Sequence, residues 1–587
     1  MRLQRNGSGG GFGHPVRRLW QSGVVAICVS LAAPGAMAEE AAGDGPKTPS
    51  LLQTVSVAGS YLAGRFAEQR SDHRTAAILL DRVLEENPED SELLQRTFLA
   101  HLRAGLYDRA LELATRVDNS SPQGYFADLL LSEQAMLAGD WAASLNYLES
   151  ASGSGMARYA TPMLEAWSLA GRGDTDAAIK ALGALSDQGG FARLRSLHEG
   201  LIYAKAARYD KAEEALTSQD PDLLLAPVRV VRALARVYAL QGREPDAQAL
   251  IDSYIQRNPG AEALRGDLES SMAGASDEML FGPVAAVADG FYHLASGVRE
   301  QSGEAALIFG RLTLYLDRNF DLPILLIGDL LEANARHNEA IEVLRDITEE
   351  SPYYWDARLR VADNLGEIGR SEEAIELLEE MATERPDSTD PLVKIGYLYR
   401  AEEAWLKEID VYNRAIARVV EQEERHWLLF YNRGIAFERS QQWPKAEADF
   451  LRALELKPDD PFVLNYLGYS WVEKGLNIGA AKEMIRKAVA QRQNDGYIVD
   501  SLGWVLYRTG DFEEAVRHLE RAVLLRPQDP VINDHLGDAY WRVGREYEAK
   551  FQWSRALHLE PDEDLIGTIE QKLEDGLGEA EIIEVVE

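Results

Sequence analysis

The 587 residues contain one cysteine, Cys28. Beyond it there is no thiol to oxidise, no thiolate nucleophile and no cysteine to ligate a metal. Histidine is scarce and scattered. None of the ten stands at an H-E-x-x-H or similar ligand spacing, and His518, His535 and His558 fall in different slots of successive segments, where packing or surface roles suffice. No Walker sequence occurs, and Gly153-Ser154-Gly155 lacks the strand–turn–helix setting of a nucleophile elbow. Acidic pairs such as Glu372-Glu373 and Glu513-Glu514 stand where carboxylates favour a helix N-terminus. No catalytic residue, metal or cofactor is expected. Basic residues are in deficit too: 61 Lys and Arg face 96 Asp and Glu, a net charge of −35. Such a surface repels phosphate backbones and anionic lipid, which excludes nucleic acid as a partner and favours basic patches on proteins.

Acids are absent from residues 1–38, which carry Arg2, Arg5, Arg17 and Arg18, then an apolar run from Val24 to Ala33, then Ala36-Met37-Ala38. A basic start, a short apolar core and an A-x-A ending predict a secretory signal peptide cut between Ala38 and Glu39. The run is short for a bilayer span, so no transmembrane segment is expected in the exported chain. Ile27 before Cys28 is bulky where lipoprotein signals carry a small residue, so Cys28 reads as part of the apolar core. Loss of the four arginines takes the net charge to −39. Periplasmic localisation follows as an expectation, with association to the outer membrane left open.

What the chain has in abundance is self-similarity. Gly434, Gly468, Gly503 and Gly537 are spaced 34, 35 and 34 residues apart. Stepping 12, 16, 19 and 24 positions from Gly434 gives Ala446, Phe450, Ala453 and Pro458; from Gly503, Ala515, Leu519, Ala522 and Pro527; from Gly537, Ala549, Trp553, Ala556 and Pro561. The Gly468 copy takes one extra residue and gives Ala481, Ile485 and Ala488. Small residues let neighbouring helices approach, the large residue between them fills the gap, and proline separates one helical pair from the next. Glycines seven positions after the marker, Gly510 and Gly544, suit a left-handed helix end. The pattern resembles the tetratricopeptide repeat, which implies an all-α solenoid of stacked helix–turn–helix units.

The register continues upstream. Markers at Gly64, Phe98, Ser132, Ala166, Gly200 and Ala235 keep spacings of 34 or 35, with Ala76, Ala110, Ser144, Ala178, Ala212 and Ala247 twelve residues later. It breaks at 260–283, returns weakly with Leu294 and Ala306, and resumes at Gly328, Ala362 and Gly396. About 13–14 repeats in two segments are predicted. Residues 1–38 are the signal, 39–50 a flexible leader, 51–259 a degenerate N-terminal array and 260–283 an irregular joint. Residues 284–561 form a C-terminal array, and 562–587 a capping helix with an acidic tail.

In the repeat family the first helix of each pair lines the concave face, and the slots around the marker touch ligands. By that resemblance the partner-binding residues are Asn465, Tyr469, Asp500, Trp504, Arg508, Asp534, Asp538, Trp541 and Arg542. The Lys/Asn clamp that chaperone-binding members use on a terminal carboxylate is replaced here by Asn465/Tyr469, Asp500/Trp504 and Asp534/Asp538. Aromatic rings beside Arg and Asn suit proteins or extended peptide. Export signal, long degenerate array and the run Asp500-Ser501-Leu502-Gly503-Trp504-Val505-Leu506-Tyr507 together resemble the envelope tetratricopeptide proteins of Gram-negative bacteria. Among these is the lipoprotein adaptor of a periplasmic carboxy-terminal processing protease, although no lipidation cysteine stands here. The resemblance implies a non-enzymatic adaptor that presents substrates to a protease. The alternative is an assembly component of an exopolysaccharide, pilus or outer-membrane protein export machine.

Overall fold

The computed structural model describes residues 56–583 apart from 119–122, 151–155, 186–190, 220–221, 275–276 and 581. The expected signal, the cleavage point Ala38/Glu39 and the leader lie outside the described residues, as do Gly153-Ser154-Gly155. Among the described residues every regular element is helical, successive helices pair within each part of the chain, and the last helix runs Glu563–Asp575.

The predicted slots behave as the packing argument requires. Ala446, Ala453, Ala481, Ala488, Ala515, Ala522, Ala549 and Ala556 are completely buried. A Cβ added at Gly503 would lie 2.5 Å from Leu519, and one at Gly537 only 2.4 Å from Trp553. The marker glycine and the large residue sixteen positions on are therefore one contact. Where small residues give way to polar ones, the slot stays satisfied: Ser132, Ser144 and Ser168 join in a buried chain of hydroxyl contacts, each 2.8 Å.

The position seven after the marker is left-handed throughout. Gly105, Gly139, Gly173, Gly242, Gly369, Gly475, Gly510 and Gly544 have positive φ, and so do Ser71, Ala207, Ala335, Glu403 and Gln441 in the same slot. The weak copy at Leu294 is the exception. A non-glycine residue there carries strain on the order of 1 kcal/mol. Gln441→Gly and Glu403→Gly should each raise unfolding stability by about 0.5–1 kcal/mol, read from a denaturant midpoint with unchanged slope.

Among the described residues the chain divides into two compact units, 56–370 and 371–583. The division falls between Arg370 and Ser371 and not at the expected joint 260–283, which lies inside the first unit as a short 3-10 turn and the helices Arg265–Met272 and Asp277–Phe281. Leu268 is fully buried there, and Arg236 holds Asp277 at 2.6 and 2.7 Å and the Met272 carbonyl at 3.1 Å.

Within the first unit, the pair Pro283–Val298 and Gly303–Leu316 lies against the first helices of the N-terminal array. Phe309 meets Phe126 and Phe291 edge-on, Tyr107 donates to the Arg311 carbonyl at 2.8 Å, and Arg311 donates to the Arg103 carbonyl at 3.1 Å. The N-terminal first-helix face is thus part of a core. Glu133 on the helix Tyr125–Leu137 is fully buried, and neither carboxylate oxygen has a hydrogen-bond partner. Desolvation pushes its pKa well above the usual carboxylate range.

In the second unit the slot twelve after Gly396 holds Glu408 in place of alanine. Glu408 is fully buried and pairs with Arg400, whose guanidinium also donates to Asn432 Oδ1 at 3.1 Å and the Asn432 carbonyl at 3.0 Å. A buried ion pair thereby stands at an alanine slot, beside the kept contact of Gly396 with Tyr412.

Candidate functional site

The site residues stand on three consecutive first helices, Pro461–Glu473, Gly496–Arg508 and Pro530–Arg542, each contacting the next. Each helix starts on an aspartate whose carboxylate accepts from the first-turn amides: Asp460, Asp495 and Asp529. This repeated cap fixes where each helix begins, and the 34-residue period then brings equivalent slots to one face.

The upstream part of that face is open. Asn465 and Tyr469 sit one turn apart and are half-buried. Asn465 Oδ1 is shielded from solvent and accepts no hydrogen bond. Tyr469 packs on the apolar core, and burial raises its phenol pKa, reinforced by Glu473 and Asp500. Trp504 lies flat between His535 (centroids 4.0 Å, 15° between planes) and Tyr507 (4.9 Å, 11°). Its indole Nε1 donates to Glu473 Oε1 at 2.7 Å, the same oxygen that Arg508 holds at 3.0 Å.

Beneath Trp504, buried Asp500 accepts from His535 Nδ1 at 3.0 and 3.1 Å. Burial alone would lower the His535 pKa, but Asp500 outweighs it and the value rises. In its protonated form the imidazole adds electrostatic attraction to the stack under the indole face. Asp500 and Trp504, adjacent in the slot pattern, are therefore joined through a histidine that the sequence left among packing residues.

The downstream part is covered by the chain itself. Asp534 and Asp538 are buried, and Lys572 from the last helix reaches both: Nζ lies 2.7 and 2.9 Å from the Asp534 oxygens and 2.8 Å from Asp538. Trp553 Nε1 also donates to Asp538 at 2.9 Å. Desolvation, then the neighbouring Asp534 charge, lifts the Asp538 pKa to about 6 despite Lys572. Trp541 packs against Trp553, with centroids 5.5 Å apart, and beneath Gly576. Arg542 donates to the carbonyls of Gly578 at 2.5 Å and Glu579 at 3.5 Å, and to Tyr507 at 3.3 Å.

Of the nine predicted residues, the structure thus leaves Asn465, Tyr469, Trp504 and Arg508 along one accessible stretch. It places Asp500 underneath, and it engages Asp534, Asp538, Trp541 and Arg542 with residues 572–579. The sequence reading missed Lys572, His535 and Glu473. Lys572 stands 35 residues after Gly537, in the slot that holds Asp538 and Trp504 in earlier copies, so continuing the register one step would have found it. Among the described residues no group of three or more His, Cys, Asp or Glu is placed to hold a metal ion, and no helix is long and apolar enough to cross a membrane.

Models described as tetratricopeptide repeat match residues 228–253, 331–394, 409–461, 431–496 and 499–529. A TPR repeat-containing protein of Pseudomonas aeruginosa is 29% identical over 172 residues, a match spanning 28% of this chain and 27% of the relative. Among solved structures, the APC/C hetero-tetramer Cut9-Hcn1 is 16% identical, covering 88% of this chain and 96% of that one with a TM-score of 0.37. YrrB, a TPR protein described as having an unusual peptide-binding site, is also 16% identical, covering 33% and 97% with a TM-score of 0.26.

Proposed function

We propose that this chain, a tetratricopeptide-repeat protein, is a non-enzymatic scaffold that holds a partner protein on the first-helix face of its C-terminal array. The observation that carries the reading is the open stretch from Asn465 to Arg508. It offers a shielded carbonyl oxygen awaiting a donor, the half-buried rings of Tyr469 and Trp504, and a guanidinium on the same face. Side chains of these kinds at a partly desolvated surface hold a peptide backbone and apolar side chains together.

The finer reading places the protein in the bacterial envelope, where it presents substrates to a periplasmic processing protease. It is supported by residues 1–38, which have the form of a cleaved export signal, and by the resemblance carried by residues 500–507.

A crosslinking pulldown from the periplasm, read by mass spectrometry, identifies the partner. Asn465→Ala should then weaken its binding about tenfold at an unchanged thermal midpoint, since the lost hydrogen bond, on the order of 1.4 kcal/mol, is made only in the complex. Tyr469→Ala should weaken it roughly thirtyfold, the usual cost of an aromatic anchor. Capture unaffected by either substitution overturns the reading.

A further inference from the structure

The C-terminal stretch does more than cap the last repeat. After the helix Glu563–Asp575 the chain turns at Gly576 and runs back over two first helices. Gly576 has φ of 73°, and a Cβ there would lie 2.0 Å from the Trp541 indole, so only glycine passes that point. The carbonyls of Gly578 and Glu579 then accept from Arg542. Leu577 and Ile583 pack against the apolar core of the array. Ile582 lies against Gly510, where an added Cβ would be 3.2 Å from its Cδ1. The Ile583 amide donates at 2.9 Å to the Arg508 carbonyl, an end-of-helix acceptor with no partner inside its own helix.

This is how a peptide is bound: backbone carbonyls read by a guanidinium, a backbone N–H taken by a free helix carbonyl, and two aliphatic side chains against apolar surface. We infer that the tail, through residues 576–580 and 582–583, is a resident ligand of the last groove. That groove is a site for an extended acidic–aliphatic peptide with a glycine at the Trp541 crossing, and a partner's segment of that chemistry takes it by displacing the tail. The inference rests on the scaffold reading above and assigns to it a second, gated stretch beside the open one. An attached tail competes at millimolar effective concentration, so free peptide of the same sequence binds the intact chain poorly.

The test uses the full chain and a fluorescein-labelled peptide, Gly576 to Glu587. One variant, Ile582→Asp with Ile583→Asp, unseats the tail at its far end; a second, Gly576→Val, unseats it at the Trp541 crossing. Both leave every helix intact, and circular dichroism checks this. Either variant should bind the peptide at least tenfold more tightly than the unmodified chain, and adding Arg542→Ala should reverse most of that gain. Equal affinity for all chains, or no saturable binding by folded variants, overturns the inference. The pulldown keeps the two readings apart: a partner captured alike by intact and unseated chains, with no peptide binding, leaves the scaffold standing and removes the gate. Peptide binding with no partner captured does the reverse.

Discussion

Lys572→Met will unfold the last two repeats ahead of the rest of the second unit, at a cost of about 3–5 kcal/mol at pH 7. Lys572 Nζ lies within hydrogen-bond distance of both Asp534 and Asp538, and both carboxylates are buried. Methionine keeps the aliphatic stem and removes the charge, leaving two like charges side by side in low dielectric. The cost has a pH signature. Asp538 already has its pKa raised to about 6 by desolvation and by Asp534. A carboxylate raised on folding contributes stability below its unfolded value, near 3.9, and loses it as pH rises through the folded value. Without Lys572 the folded value climbs further, so the penalty should be largest at pH 7 and shrink toward pH 5 as the pair takes up a proton. Denaturant melts at the two pH values, read through 530–575, measure this. A penalty below about 1 kcal/mol at pH 7, or one that grows on acidification, contradicts the account.

Glu133→Met acts in the opposite direction. It should stabilise the first unit by about 2–4 kcal/mol at pH 7, the gain found when a buried, poorly paired charge gives way to an apolar group of similar volume. With no hydrogen-bond partner on either oxygen, Glu133 favours its protonated form in the folded unit, because burial holds its pKa well above the usual range. Folding therefore grows harder as pH rises from the unfolded value near 4.3, by about 1.4 kcal/mol per pH unit until the folded value is reached. The stabilisation by methionine should fade as pH falls toward 4.5. Glu133→Gln should give less, since it buries two amide donors in the same place. Comparing urea midpoints for the three chains at pH 5 and 7 checks both magnitude and sign.

The fold was written in the period. Marker glycines, paired alanines and the left-handed slot each follow from one helix approaching another, and that constraint recurs every 34 residues. The first-helix placement of Asn465, Tyr469, Trp504 and Arg508 followed for the same reason. What stayed hidden depends on which surface covers which. Nothing local in 283–316 reveals that this pair fills the N-terminal first-helix face, because its apolar residues look like those of any repeat. The break at 260–283 resembled a joint, whereas Leu268 and Arg236 tie it into the first unit. Glu408 broke the alanine rule visibly, but its partner Arg400 lies in the preceding helix at no fixed repeat spacing. The tail, acidic and short, gave no sign that Gly576 passes a tryptophan or that the Ile583 amide meets a helix end.

The central claim, that a partner is held on the first-helix face of 461–542 and displaces the tail there, is tested most directly by hydrogen exchange on the intact protein with and without the captured partner. The account predicts added protection over 461–473 and 496–508 together with faster exchange at 576–583, where the Ile583 amide loses its acceptor. Protection gained only on the second helices, or anywhere in 57–344, with the tail unchanged would contradict it.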